Sequence, residues 1–389
     1  MSSAEVIGSN DDIIMEILLH LPVKSLIRFK LVSKNWLSLI SDPNFVLRHS
    51  RQSHKTVSAF ILACFLPRSF KCPPMYMHVS LDENQKQNSN SFQSQANFHF
   101  DPSAPGAIII SQSCNGLLLC YSFSRYNSTA CVYYVFHPAT NEFSILPETV
   151  CNKNSINYFS LAYDPTISPF YQVVCLQFST ISSCKIQIYS SKTETWRDAK
   201  NQELDYLSAN FQHGVYWNGG IHWLFTSDGT SFRFDIEKET ILQVPRPPLP
   251  ENWNPHNLRH FMESQGHLFF IDFESPEYVI YEMEKDCSKW FVKYRFDINL
   301  IVTAFPDEID KNRENSSNSV VELEKMISPV SLVEVENEGP LLVMSIPGRF
   351  ISYRFKDNTF KTIREAGFYF SRRFKWYHTF NYMETLSYV

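Results

Sequence analysis

Two hydrophobic periods divide this chain of 389 residues. From Asn10 to Ser50 the apolar residues recur at helical spacings of three and four, and from Val57 onward they come in short runs or alternate with polar residues, as strands do. Ile13, Ile14, Ile17, Leu18 and Leu21 form one stripe and predict a first helix, capped by Asn10 or Asp11 and stopped by Pro22. Leu26, Ile27, Phe29, Leu31 and Val32 predict a second, and Trp36, Leu37, Leu39 and Ile40 a third. Asp42-Pro43 restarts the chain for a fourth, with Phe45 and Val46 as its buried pair. A block of about 40 residues buries too little surface to stand alone. It is predicted to need a partner, either the larger domain behind it or another protein.

In the strand-like region one unit repeats: an aromatic, six residues of polar turn chemistry, then another large apolar residue. It occurs as Phe136 to Phe143, Tyr189 to Trp196, Phe234 to Ile241 and Tyr353 to Phe360, and with two extra residues as Tyr281 to Trp290. Each predicts a β-hairpin. The second members stand 53, 45, 49 and 70 residues apart. The first three steps match the period of about 40 to 50 residues of propeller blades. The last exceeds it by about 20, the length of the charged, Asn- and Ser-rich stretch 306–325, which is predicted to be an insertion. Asn115-Gly116, Asn218-Gly219-Gly220, Gly266 and Gly339 each precede an apolar strand, so each unit has about four strands. Segments 57–100 and 368–382 are left over at opposite ends, and one shared blade would close a ring of about six and remove its free sheet edges. A β-sandwich is the alternative, but it has no need of this repeat.

The stretch ILLHLPVKSLIRFKLVSKNWLSLISDPNF resembles an F-box over essentially the whole motif: a helix ending in Leu-Pro, the Val-Lys-x-Leu step, the Val-Ser-Lys-x-Trp turn and the final Asp-Pro-x-Phe. It departs at Ser9-Asn10, where the family has Leu-Pro. SCNGLLLCY, VFHPATNEFSILP, AYDP, VYWNGGIHWL with FDIEKETILQVP, and EMEKDCSKWFVKY resemble the F-box-associated domain of plant F-box proteins. The expected architecture is a flexible N-terminus (1–9), a small all-α F-box (10–50) and an all-β propeller of about six four-stranded blades (57–389). The resemblance implies a substrate receptor of a Skp-cullin-F-box ubiquitin ligase. Ile13, Ile17, Leu21, Pro22, Val23 and Leu26 would bind the Skp-type adaptor, through it a cullin, and Trp36 would hold the helices together. The alternative from another class is a scaffold or sequestering protein without turnover, and a propeller enzyme stands third.

Composition narrows the function further. With 44% hydrophobic residues, 15% aromatics and 32 Phe, most of the chain must fold. A net charge of -5 offers no basic field, so neither a nucleic acid nor an anionic membrane is an expected partner. No apolar run approaches the ~18 residues of a membrane span. Nine Cys without a C-x-x-C pair and a polar start predict reduced thiols in the cytosol or nucleus. Hydrolase, phosphate-loop and zinc-protease motifs are absent, so no catalytic residue, cofactor or metal is expected. His256 and His260, with Glu263 nearby, have a spacing that could bind metal on a helix, but they lie beside Pro255 between strand units and read as ordinary histidines. Specificity in propellers sits in loops. The turns between second and third strands and the connections between blades share one face, which collects Arg125, Asp228, Trp253 and Arg259 as candidate target contacts. Trp253 on the proline-rich 246–260 connection is the candidate anchor, unless it packs back on its own blade.

Overall fold

The computed structural model describes residues 11–52, 57–65, 75–81, 107–123, 132–149, 156–180, 183–200, 211, 213–224, 230–248, 260–310, 323, 326–335, 339–365 and 375–389. Four helices come first: α1 (Asp11–Leu19), α2 (Val23–Phe29), α3 (Lys34–Ile40) and α4 (Pro43–Gln52). Their boundaries have local causes. The Ser33 hydroxyl accepts the Trp36 N–H at 3.1 Å, and Asp42 Oδ1 accepts the N–H groups of Asn44 and Phe45 at 2.8 and 3.1 Å, so α3 and α4 each begin on a side-chain cap. The second helix ends earlier than its apolar pattern suggested, leaving Leu31 and Val32 in the turn that follows.

Five four-stranded antiparallel sheets follow, each formed by consecutive strands: β3–β6 (Ala107–Ile145), β7–β10 (Ile156–Asp198), β11–β14 (Val215–Val244), β15–β18 (His260–Asp297) and β19–β22 (Ser328–Glu365). The sixth joins the two ends of the chain. β23 (Lys375–Tyr382) pairs with β1 (Ala59–Phe65), which pairs with β2 (Met75–Ser80). The innermost strands, β3 (Ala107–Cys114), β7 (Ile156–Ala162), β11 (Val215–Trp217), β15 (His260–Ser264), β19 (Ser328–Val335) and β23, touch in that order and back to β3, so the ring is closed with six blades, numbered 1 to 6 in the same order. Of the predicted segment 57–100, residues 66–74 and 82–100 lie outside the described residues.

The repeat read in the sequence is the outer hairpin of each blade. Phe136 pairs with Phe143, Tyr189 with Trp196, Phe234 with Ile241 and Tyr353 with Phe360. Two residues before each second member the backbone turns left-handed, at Asn141, Glu194, Glu239 and Asn358. The fifth pair is corrected: Trp290 faces Met283 and Tyr281 faces Val292, because the turn occupies only residues 284–289, closed by the Glu284 N–H on the Lys289 carbonyl, so the six-residue spacing of the other units runs here from Met283. The inner hairpins of blades 1, 3 and 4 turn on Asn115-Gly116, Asn218-Gly219 and Gln265-Gly266, both residues of each having positive φ, as a two-residue turn matched to strand twist requires.

Each of the six joints between blades holds its own apolar cluster, and alternation along single strands supplies neighbouring joints. Phe60 and Leu62 pack toward blade 5, Ile61 and Ala63 toward blade 1; Leu268 and Phe270 pack toward blade 3, Phe269 and Ile271 toward blade 5. Strands buried on both faces read as continuous apolar runs for this reason. Two of the repeat tryptophans also tie blades together: Trp196 Nε1 donates to the Pro147 carbonyl at 2.8 Å, and Trp290 Nε1 to that of Pro245 at 2.9 Å.

The described residues of the predicted insertion at 306–325 contribute to the core. The insertion is preceded by α5 (Asn299–Ala304) and opens with α6 (Pro306–Asp310). Ile301, Ile309 and Leu323 are buried in the cluster between blades 4 and 5, and Glu308 pairs with Arg349. The extra length covers a joint.

Candidate functional site

The helical domain divides its apolar residues between a core and a face. Ile14, Leu18, Leu19, Val23, Leu26, Ile40, Phe45 and Val46 are buried together. Ile13 and Ile17 remain 40% and 52% exposed. Adjacent residues point about 100° apart around a helix, so the five-residue stripe of α1 is two stripes. Ile14 and Leu18 face inward, Ile13 and Ile17 outward. Leu31, Val32 and Leu37 are exposed as well. Five of the twelve exposed large apolar residues of the described chain thus fall within positions 13–37, a concentration that a surface meant for water does not need.

The six residues assigned to the adaptor therefore separate. Ile13, Ile17 and Pro22 are exposed and Leu21 is half-buried at the edge of the core. Val23, at 9% exposure, and Leu26, at 0%, are core residues of the domain itself, which corrects their assignment as contacts. Leu31, Val32 and Leu37, which marked the second and third helices in the sequence, are exposed. Trp36 is half-buried and meets Phe29 edge-on at 5.1 Å, so it braces α3 against α2.

Polar ties set the shape of this face. The Asn35 amide donates to Asp11 Oδ1 at 2.8 Å, joining the starts of α1 and α3, and Arg48 of α4 meets Glu16 at 2.6 Å. His49 Nε2 contacts the Leu21 carbonyl at 2.8 Å and fixes the Leu21-Pro22 corner; burial lowers its pKa, which favours the neutral ring. Nothing in the sequence singled out His49 for this part.

The propeller carries the helical domain on one of its two faces. Arg51 Nε donates to the Thr166 carbonyl at 2.9 Å, in the inner hairpin turn of blade 2, and Tyr388 stacks on Phe170 of the same turn. His137 and Gly116, at the outer and inner turns of blade 1, lie on this side too, both against Thr385. Because strands reverse direction in sequence, the turns between second and third strands and the blade-to-blade connections open on the opposite face. The described strand ends Val244 and His260, and the turns 274–277 and 346–349, belong to it. Arg125, Asp228, Trp253 and Arg259 lie outside the described residues, as does His256.

On the propeller axis His213 and His378 stack at 4.6 Å, and His260 lies near enough to affect His378. Burial lowers the pKa of His260 and His378 to about 4, so these rings are neutral near pH 7. Among the described residues no group of three or more His, Cys, Asp or Glu is arranged to hold a metal ion.

Known proteins share both halves of this arrangement. The F-box domain family matches residues 10–48, and the family described as F-box associated beta propeller domain matches residues 67–386. F-box protein At5g07610 of Arabidopsis thaliana is 33% identical over 391 residues, covering 93% of this chain and 87% of that protein. F-box protein At5g49610 of the same plant is 25% identical over 72% of this chain and 77% of its own length. The F-box/LRR-repeat/kelch-repeat protein At2g27520, also from Arabidopsis thaliana, is 27% identical over 61% of this chain and 60% of its own length. With a four-helix block that matches the F-box and a six-bladed ring that matches the domain associated with it, this chain belongs to the F-box proteins that carry an F-box associated β-propeller domain.

Proposed function

We propose that this chain is the substrate receptor of a Skp-cullin-F-box ubiquitin ligase and forms no covalent bond with its target. The observation that carries the reading is the outward apolar pair Ile13 and Ile17, exposed beside a core that Ile14 and Leu18 already fill. F-box domains typically take a Skp-type adaptor on their helices, and Ile13, Ile17, Leu21 and Pro22 offer it an apolar surface, with Leu31, Val32 and Leu37 enlarging it. The opposite mouth of the propeller is the proposed target face, and Arg125, Asp228, Trp253 and Arg259 are the contacts that the sequence order of the strands assigns to it. Holding a target there raises its effective concentration near the ubiquitin-loaded enzyme, which is all the rate enhancement a receptor must supply. Thiols at Cys120, Cys184 and Cys287 that form no disulfide support a cytosolic or nuclear site of action. The experiment is co-purification of the adaptor and a cullin with the full chain. Recovery of both supports the ligase reading, adaptor without cullin supports a scaffold, and neither rejects both.

A further inference from the structure

Residues 383–389, Met-Glu-Thr-Leu-Ser-Tyr-Val, follow the ring-closing strand and have no regular secondary structure of their own. Their side chains nevertheless alternate between two bodies. Met383 packs on the cluster between blades 5 and 6. Glu384 pairs with Lys24 of α2 at 2.6 Å. Thr385 returns to the propeller, where its carbonyl accepts from His137 Nε2 at 3.1 Å and its methyl fills the space beside Gly116. Leu386, 2% exposed, enters the helical core with Ile14, Leu18, Leu26 and Phe45. Ser387 is buried and, like Thr385, lies against the hydroxyl of Tyr163 in blade 2. Tyr388 donates its hydroxyl to the Ser41 carbonyl at the end of α3. Val389 packs on the cluster between blades 1 and 2.

Odd positions thus serve the propeller and even positions reach the helices, Tyr388 also stacking on Phe170 of blade 2, the two-fold period of a stretched segment gripped from both sides. Leu386 and Tyr388 are the members of the helical cluster that come from outside residues 11–52. The grip is also positioned from the propeller. His137 Nδ1 accepts the Thr140 N–H at 3.1 Å, which makes Nε2 the protonated nitrogen and the donor to Thr385. Gly116 has φ +93°, and a Cβ there would come within 2.7 Å of Thr385 Cγ2 and 2.8 Å of the Met383 carbonyl oxygen. The turn passes as close to the segment as a residue without a side chain allows.

We infer that residues 383–389 are a built-in ligand of the helical domain, completing its core and locking it to the propeller as one rigid body. The inference rests on the fold alone; its consequence for the ligase, a fixed direction from the adaptor-binding face to the target face, rests on the function proposed above. A block of about 40 residues, too small to be stable by itself, receives from the far end of the chain the apolar side chain it lacks. The propeller closes through β23 before this segment begins, so the ring does not require it.

The test is hydrogen exchange on the full chain and on a chain ending at Tyr382, with no adaptor present. The expected result is exchange at least ten-fold faster across 14–49 in the shortened chain, with strands of blades 2 to 4 unchanged. A synthetic peptide of residues 383–389, added in trans, should restore protection, and the same peptide carrying Leu386→Asp should not. Should the shortened chain fail to fold, full-length Leu386→Asp gives the same reading of helices against blades. Equal exchange of the helices with and without the segment would overturn the inference. So would simultaneous loss of protection in blade 3, since the segment would then support the whole fold rather than join two parts of it.

Discussion

Replacing Ile17 by Asp puts a carboxylate on a helix face that is 52% exposed in the free chain, where water solvates it and folding loses little. In a complex that covers this face the outcome differs. Full burial of an Ile is worth about 1.5 to 3 kcal/mol, and about half of that surface remains to be buried, so its loss removes roughly 1 kcal/mol of affinity. The unpaired carboxylate adds a desolvation cost of at least about 2 kcal/mol. A total near 3 kcal/mol weakens adaptor binding by about 100-fold. Leu21→Asp would be a poorer probe, because Leu21 packs at the edge of the core and its carbonyl is held by His49, so folding and binding would suffer together. Titration calorimetry of wild type and Ile17→Asp against a Skp-type adaptor, with melting followed at 222 nm, measures both quantities. A weakened complex with the melting curve in place is the expected result. Undiminished binding by a folded Ile17→Asp chain would refute the assignment of this face.

Leu26→Ala should do the reverse, costing the helical domain about 2 to 5 kcal/mol through a core cavity, which urea unfolding of that domain would read. His137 is fully buried and burial lowers its pKa to about 4, below the unfolded value near 6.5; the stability of its neutral form is therefore complete above pH 6.5 and lost as pH falls toward 4, by up to about 3 kcal/mol. Denaturation midpoints between pH 7.5 and 5 should fall more steeply for wild type than for His137→Gln, and equal slopes would contradict this. Gly116→Ala should cost about 1 kcal/mol or more beyond Gly266→Ala, because both have positive φ but only the first meets residues 383 and 385, and equal melting temperatures would remove that contact from the account. Trp253→Ala with Arg259→Ala should abolish target capture and leave adaptor binding and the melting temperature nearly unchanged; a large thermal loss would place Trp253 in a core.

The propeller was legible because its repeat is written in turn chemistry. A left-handed residue two positions before each outer apolar partner, and Asn-Gly or Gln-Gly at three inner hairpins, are local demands of the backbone that survive when the glycine pairs of other propellers are gone. Tyr281 and Trp290 were mispaired because Met283 rather than an aromatic closes that turn, so the search for an aromatic first member began two residues too early. The helical face was half legible. Ile13 and Ile14 have the same residue type, and periodicity cannot say which of two stripes 100° apart meets the core. Val23 and Leu26 were misplaced for the same reason, since a buried contact and a binding contact share one hydrophobic signature. His49, His137 and the segment 383–389 were invisible because their roles are made by tertiary contacts between residues far apart in the chain, 248 residues for His137 with Thr385 and 347 for Tyr388 with Ser41.

The most direct measurement is affinity purification of the wild-type chain and of Ile17→Asp from cells with the proteasome blocked, followed by quantification of ubiquitylated co-purifying proteins. The account predicts that adaptor and cullin are recovered with wild type alone, that the same target is captured by both chains, and that it carries ubiquitin chains only with wild type. Equal ubiquitylation of the captured target with both chains, or a wild-type chain that recovers neither adaptor nor cullin, would contradict it.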